Sequence, residues 1–245
     1  MRTNSFTNLL TLSLVALLAV TTTPARSAEP TPMRFTPPLQ SYLDSRASEF
    51  DQISDDRKAL LNKLALHVQK RIQADQPARL TFICTHNSRR SQISQVWAAT
   101  AARYYGIKGV KTFSGGTETT AFNPRAVAAM QRTGLDIRTR NEPPAAGEKT
   151  NPRYEIHFPQ EEQPLICFSK VYNEAPNPQK DFCAVMCCSH ADMNCPVVAG
   201  CSLRVSLPYE DPKASDGRPD EGATYDERCE QICREMMYVF SQVTR

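Results

Sequence analysis

Cys84-Thr85-His86-Asn87-Ser88-Arg89-Arg90 brings a nucleophile and a guanidinium together with five residues between them. The run Ala78 to Ile83 before it is apolar and suits a buried strand, and "SQISQVWAATAARYYG" after it reads as a helix stopped by Gly106. At a strand–loop–helix junction the backbone N–H groups converge on an anion, and the helix dipole adds positive potential. A loop of this length can curl until Arg90 faces the Cys84 sulfur, with its planar fork on two oxygens of a tetrahedral oxyanion. Helix N-termini and nearby cations favour the thiolate, which is the attacking form of cysteine. Ser88 or Ser91 is placed to donate a hydrogen bond to that sulfur, and Asn87 to brace the loop by bonding local backbone. Thr85, His86 and Arg89 complete the oxyanion-binding set, with His86 read as a contact or a filler rather than a general base. The bland alternative is a buried cysteine that happens to precede a basic helix.

The elements that must position this loop follow along the chain. "SDDRKALLNKLALHVQKRIQ" has Leu60, Leu61, Leu64, Leu66 and Val68 at broadly helical spacing, with Ser54, Asp55 and Asp56 at its start. "GVKTFSGG" reads as a second strand and turn. "NPRAVAAMQRTG" reads as a helix with proline in its first turn and glycine at its end. "FCAVMCC" and "CSLRVSL" are two further apolar runs, and "ATYDERCEQICREMMYVFSQV" is a closing helix. Strands alternating with helices imply a doubly wound α/β domain whose parallel sheet is covered on both faces. Residues 28–76 are expected to be a proline-rich linker, extended over about 29 to 40, followed by a helical extension. The main domain then spans 77–245 and carries an inserted loop or flap at 141–180.

The chain of 245 residues carries a formal charge of only +3 and no long basic run, so nothing points to nucleic acid. Arg2, the apolar run Leu9 to Val20 and Ala25-Arg26-Ser27 make a secretory signal over residues 1–27. The apolar run is shorter than the roughly 20 residues of a membrane span. An exported, periplasmic or extracellular protein with no membrane attachment after cleavage is therefore expected. Thiols tend to pair in such a compartment, and nine cysteines is an odd number. Cys167, Cys183, Cys187, Cys201, Cys229 and Cys233 read as candidates for structural disulfides.

"CTHNSRRSQ" resembles the phosphate loop of low-molecular-weight protein tyrosine phosphatases and of the thioredoxin-coupled arsenate reductases built on the same fold. "SGGTETTAFNPRAVAAMQRTGLDI" resembles the strand and helix that follow it in both groups. The likeness covers about Leu80 to Ile137 and resumes from Phe182 onward. It implies an enzyme acting on arsenate or a phosphate ester without a cofactor, and Asp211 of "YEDPKASDG" then matches the family's late Asp-Pro acid, which protonates the leaving oxygen. "CCSHADMNCP" is similar to the reductases' redox segment, in which Cys188 and Cys195 stand six residues apart and the second precedes proline. "RSQ" and "NPRAV" also look more like the reductases. On this resemblance Cys84 attacks arsenate, Cys188 attacks Cys84 and releases arsenite, and Cys195 moves the disulfide to Cys188–Cys195 for a thioredoxin-like reductant.

The sequence departs from the pattern in four ways. Arg89 stands where a small residue or cysteine is usual, Cys187 lies beside Cys188, the 141–180 stretch is extra, and the signal contrasts with the cytoplasmic setting of the reductases. The rivals are a phosphatase, a zinc site built from Cys183, Cys187, Cys188, Cys195 and His190, and a disulfide-knotted module that binds anions without chemistry.

Overall fold

The computed structural model describes Met1 and residues 34–140, 150–195 and 197–244. The expected signal segment lies outside the described residues, as do positions 29–33 of the expected linker and 141–149 of the expected insertion. In chain order the helices and strands are α1 (Pro37–Ala47), α2 (Asp55–Gln73), β1 (Ala78–Cys84), α3 (Arg90–Tyr104), β2 (Val110–Gly116), α4 (Pro124–Arg132), β3 (Asp136–Arg140), β4 (Arg153–His157), β5 (Leu165–Cys167), β6 (Phe182–Met186), α5 (Ser189–Asn194), β7 (Cys201–Ser206) and α6 (Glu221–Ser241). Among the described residues no helix is long and apolar enough to cross a membrane.

Four strands form a parallel sheet in the order β2-β1-β6-β7. Successive strand residues point to opposite faces, so a strand covered on one side only would alternate between buried and exposed. In the centre of this sheet Leu80, Thr81, Phe82 and Ile83 are all buried, and so is every residue from Phe182 to Met186. Both faces are therefore covered, which is what a continuous apolar run in a parallel strand implies. Helices begin and end on local chemistry. Ser54 accepts a hydrogen bond from the Arg57 N–H at the start of α2, and Asn123 caps Arg125 in α4 just ahead of Pro124.

Two expectations about the extra segments change. The proline-rich stretch turns helical at Pro37, an allowed first-turn position, and Leu39 and Leu43 of α1 are buried. Leu61, Leu64 and Val68 of α2 join the same core, whereas Leu66 stays exposed. The N-terminal extension is thus part of the packed body. The segment expected to be a loop or flap contributes β4 and β5, which build an antiparallel three-stranded sheet with β3. Its period-2 signal is short: Tyr154 and Ile156 face inward between Arg153, Glu155 and His157.

The same segment then closes the edge of β2. Gly116 N–H donates to the Lys170 carbonyl, Tyr172 N–H donates to the Gly116 carbonyl, and Asn177 reaches the Ser114 carbonyl. A Cβ on Gly115 would overlap Tyr172, and one on Gly116 would overlap the carbonyls of Thr85 and Glu118. Two adjacent glycines are what allow the chain to come this close.

Candidate active site

The Cys84 loop hangs between the end of β1 and the start of α3, and its shape is set by where its carbonyls go. Cys84 accepts from Thr117 N–H, Thr85 from Glu118 N–H, and Ser88 from Asn123 N–H. The His86 carbonyl accepts from Thr120 and Ser169, the Asn87 carbonyl from Gln92, and the Arg89 carbonyl from Ile93 N–H. Each carbonyl is anchored in the surrounding protein. In a trans peptide the next N–H points the opposite way, the arrangement by which loop amides can face an anion. The loop leads into α3, whose 15 residues supply a dipole.

Cys84 is buried, with its Sγ 3.1 Å from Ser91 Oγ. Asn87 braces the loop as expected. It adopts φ +47°, a left-handed conformation that asparagine tolerates. Its amide donates to Ser91 Oγ, and its side-chain oxygen accepts from Lys170 N–H at 3.0 Å and from Gln92. The extra segment after β5 is therefore a buttress under the loop. Lys170 is itself buried there; loss of solvation pulls its ammonium down to a pKa of about 8.

Of the two serines considered for the sulfur, Ser91 takes the position. Ser88 donates instead to the Ala121 carbonyl. His86 Nε2 lies 2.9 Å from Glu118 at the surface. Arg89, expected in the oxyanion-binding set, borders the groove beside the loop, but its guanidinium is engaged elsewhere. It turns into the protein, where Nε donates to Tyr225 Oη at 2.7 Å and Nη2 to Asp216 at 3.1 Å. Burial, ahead of any other cause, pushes the Tyr225 hydroxyl up to about 12. These contacts tie the loop to α6 and to the short 3-10 turn Pro212–Ser215.

Arg90 and Asp211 do meet. Arg90 Nη2 donates to Asp211 Oδ2 at 2.8 Å, and Nη1 donates to the Tyr209 carbonyl. Arg90 Nε is buried with no hydrogen-bond partner among the described residues. Asp211 also caps the 3-10 turn by accepting from Lys213 N–H. A groove of about 350 Å³ opens beside the loop, bordered by His86, Thr120, Pro124 and Lys213.

The remaining sulfurs are placed by β6 and α5. Cys188 caps α5 by accepting from Ala191 N–H, and its sulfur lies 3.5 Å from Thr85 Oγ1. Cys195 sits at the other end of α5 and is partly exposed. Cys187, read from the sequence as a neighbour of Cys188 and a candidate for a structural disulfide, lies just past the end of β6. It is wholly buried, and burial and then Cys84 push its thiol up.

The expected structural disulfides are not formed, since all nine cysteines are free thiols. Cys167 and Cys229 are buried and pushed up to about 12 by loss of solvation, which makes them inert packing groups. Among the described residues no group of three or more His, Cys, Asp or Glu is gathered to hold a metal. Cys183 lies inside β6, and His190 Nδ1 meets Thr85.

The sequence profile of "Low molecular weight phosphotyrosine protein phosphatase" matches residues 79–153. A low-molecular-weight protein tyrosine phosphatase structure from T. tengcongensis aligns over 67% of this chain and 98% of its own, at 14% identity and a TM-score of 0.41. An arsenate reductase from Brevibacillus brevis is 30% identical over 135 residues, covering 55% of this chain and 77% of the relative. One from Bacillus subtilis is 45% identical over 56 residues, covering 23% of this chain and 37% of the relative. The chain belongs to the low-molecular-weight phosphotyrosine protein phosphatase family in the broad sense that includes the arsenate reductases, and is an enzyme of one of those two types.

Proposed function

We propose that the protein is an exported arsenate reductase-like enzyme. The observation that favours reduction over hydrolysis is the delivery of further thiols. β6 brings Cys187 and Cys188 to the ends of the strands beside the Cys84 loop, and α5 carries Cys195 outward to a partly exposed position. A hydrolase needs a nucleophile, an arginine and an acid; a reductase also needs a route for two electrons.

In this reading the loop amides and Arg90 hold the oxyanion, with the unpartnered Arg90 Nε as an additional donor. Oxyanion binding draws the guanidinium from Asp211, which then protonates the departing oxygen. The Cys84 sulfur bonds to arsenic, a second thiol displaces arsenite from it, and the oxidised sulfurs end as a Cys188–Cys195 disulfide. Cys188 and Cys195 are seven residues apart across α5, about 10 Å at the usual helical rise. A disulfide holds its Cα atoms within about 7 Å, so α5 unwinds when this pair closes. Unwinding also presents the bond to a thioredoxin-like reductant, which for an exported protein acts outside the cytoplasm.

A second reading, phosphomonoester hydrolysis, is favoured by the Arg90–Asp211 pair and by the groove, which has room for a leaving group. Arsenite formation from arsenate with reduced thioredoxin separates the two. Cys188→Ser abolishes turnover in the reductase reading. It leaves p-nitrophenyl phosphate hydrolysis intact in the phosphatase reading.

A further inference from the structure

Strand register brings one sulfur closer to Cys84 than the spacing of the redox segment suggests. β1 and β6 run parallel, and their last paired residues are Ile83 and Met186. The Cys187 N–H continues the ladder with a 2.7 Å bond to the Ile83 carbonyl. The next residues in register are Cys84 and Cys187. Neighbouring strands lie about 4.8 Å apart, inside the Cα separation of roughly 4.4–6.8 Å that a disulfide spans.

The side chains point the same way. Cys84 Sγ meets Ser91 Oγ at 3.1 Å, and Cys187 Sγ donates to Ser94 Oγ at 3.7 Å. Ser91 and Ser94 are three apart on α3 and so share one helical face. Both sulfurs lie beneath that face. Cys188 follows in extended backbone, φ −151° and ψ 149°, so its side chain leaves on the opposite side, where it meets Thr85. Cys84 and Cys187 are also both shut away from solvent, at 3% and 0% exposure. An external thiol has no easy access to the Cys84 sulfur, whereas Cys187 already stands beside it.

We propose that Cys187, rather than Cys188, is the thiol that resolves Cys84, closing a Cys84–Cys187 disulfide beneath α3. The step rests on the reading of Cys84 as the nucleophile. With the Cys84 sulfur bonded to pentavalent arsenic, the Cys187 sulfur attacks Cys84 Sγ as its proton passes to an arsenic oxygen. The S–S bond forms and the S–As bond breaks. The electron pair leaves with arsenic, which becomes trivalent, and the proton lost by Cys187 ends on the released arsenite. Each sulfur is oxidised by one electron and arsenic is reduced by two. Burial first, and then Cys84, push the Cys187 thiol up; bonding of Cys84 to arsenic removes the second of these causes, and the Ser94 hydroxyl, which lowers it, stays in contact. Exchange with Cys188 and Cys195 afterwards carries the bond to the surface.

A hydroperoxide leads to the same bond by another route. The Cys84 thiolate takes an oxygen to become a sulfenic acid, and Cys187 displaces that oxygen as water. The test uses full-length wild type, Cys187→Ser and Cys188→Ser, each checked for folding by thermal melting. Each is treated without added thiol with one equivalent of arsenate or of hydrogen peroxide, then acid-quenched, alkylated, digested and mapped by mass spectrometry with fragmentation. The expected product in Cys188→Ser, where onward exchange is blocked, is Cys84 linked to Cys187; wild type shows that link in an early quench and Cys188–Cys195 later. In Cys187→Ser, linkage of Cys84 falls at least tenfold and one equivalent of peroxide leaves Cys84 as the sulfenic acid, which a second equivalent takes to the sulfinic acid. Linkage of Cys84 to Cys188 in wild type, abolished by Cys188→Ser and indifferent to Cys187→Ser, overturns the proposal. So does the absence of any Cys84 disulfide in Cys188→Ser in both arms. If peroxide gives Cys84–Cys187 while arsenate leaves every thiol unchanged, the pairing stands and the reductase reading fails.

Discussion

Arg89 and Arg90 are adjacent in sequence and opposite in role. A run of two arginines after a cysteine reads as positive charge aimed at one anion, and Arg90 fits that reading because it pairs with Asp211 and keeps its Nε without a partner among the described residues. Arg89 does not, because the loop turns its side chain inward to Tyr225 and Asp216, partners more than a hundred residues away in the sequence. Spacing within a loop shows which residues belong to it; which way each side chain leaves depends on distant partners that no local pattern carries. Removing one member of a largely buried charged set leaves the other uncompensated, at a cost of about 3–5 kcal/mol. Arg89→Met is therefore expected to lower thermal stability and kcat together, with the oxyanion affinity changed less than by Arg90→Met. Phosphate binding measured by calorimetry checks the difference. Equal loss of phosphate binding in the two variants would mean that Arg89 also grips the anion.

Elements whose signal is a long period were legible, and elements with brief signals were not. The leucines of α2, the runs of β1 and β6 and the caps of α4 announce themselves, whereas β5 has three residues and α5 six. Short elements form because tertiary partners hold them, and here the partners are the β4 ladder for β5 and the ends of β1 and β6 for α5. Two expectations belong at this scale. In protein carrying a mapped Cys188–Cys195 disulfide, amide exchange over residues 189–194 is expected to quicken at least tenfold, because α5 has opened; retained protection contradicts the account. The segment after β5 gives the other. Lys170 is pulled from 10.5 to about 8 by burial, so between those values the unfolded chain binds its proton and the folded chain does not. Stability from this group thus rises as pH passes from 8 toward 10.5, and the full penalty is present below 8. In denaturant titrations, the stability of wild type relative to Lys170→Met is expected to improve by about 2 kcal/mol from pH 7 to pH 9.5. A difference independent of pH would show that Lys170 is not held charged in the interior at pH 7.

Across the whole molecule, the N-terminal helices connect to the site through α6. Arg57 of α2 grips both oxygens of Glu235, and its guanidinium stands 4.7 Å from the centre of the Tyr209 ring. Tyr209 donates to Glu235 through its hydroxyl, and its carbonyl holds Arg90. The sequence marks α2 as an amphipathic helix but gives no sign that its arginine reaches a glutamate 178 residues on. Arg57→Ala strands a buried carboxylate, so a loss of about 3–5 kcal/mol is expected, together with slower turnover at pH 7. Chemical unfolding and steady-state rates measure both, and unchanged turnover would mean that the extension only packs. In the proposed reaction Cys84 starts a thiol relay that reduces a bound oxyanion. Its most direct measurement is arsenite released per protein in a single turnover, with no external reductant and with thiols titrated before and after. The account requires one arsenite and two thiols lost per molecule in wild type, and neither in Cys84→Ser; no arsenite and a full thiol count in wild type would contradict it.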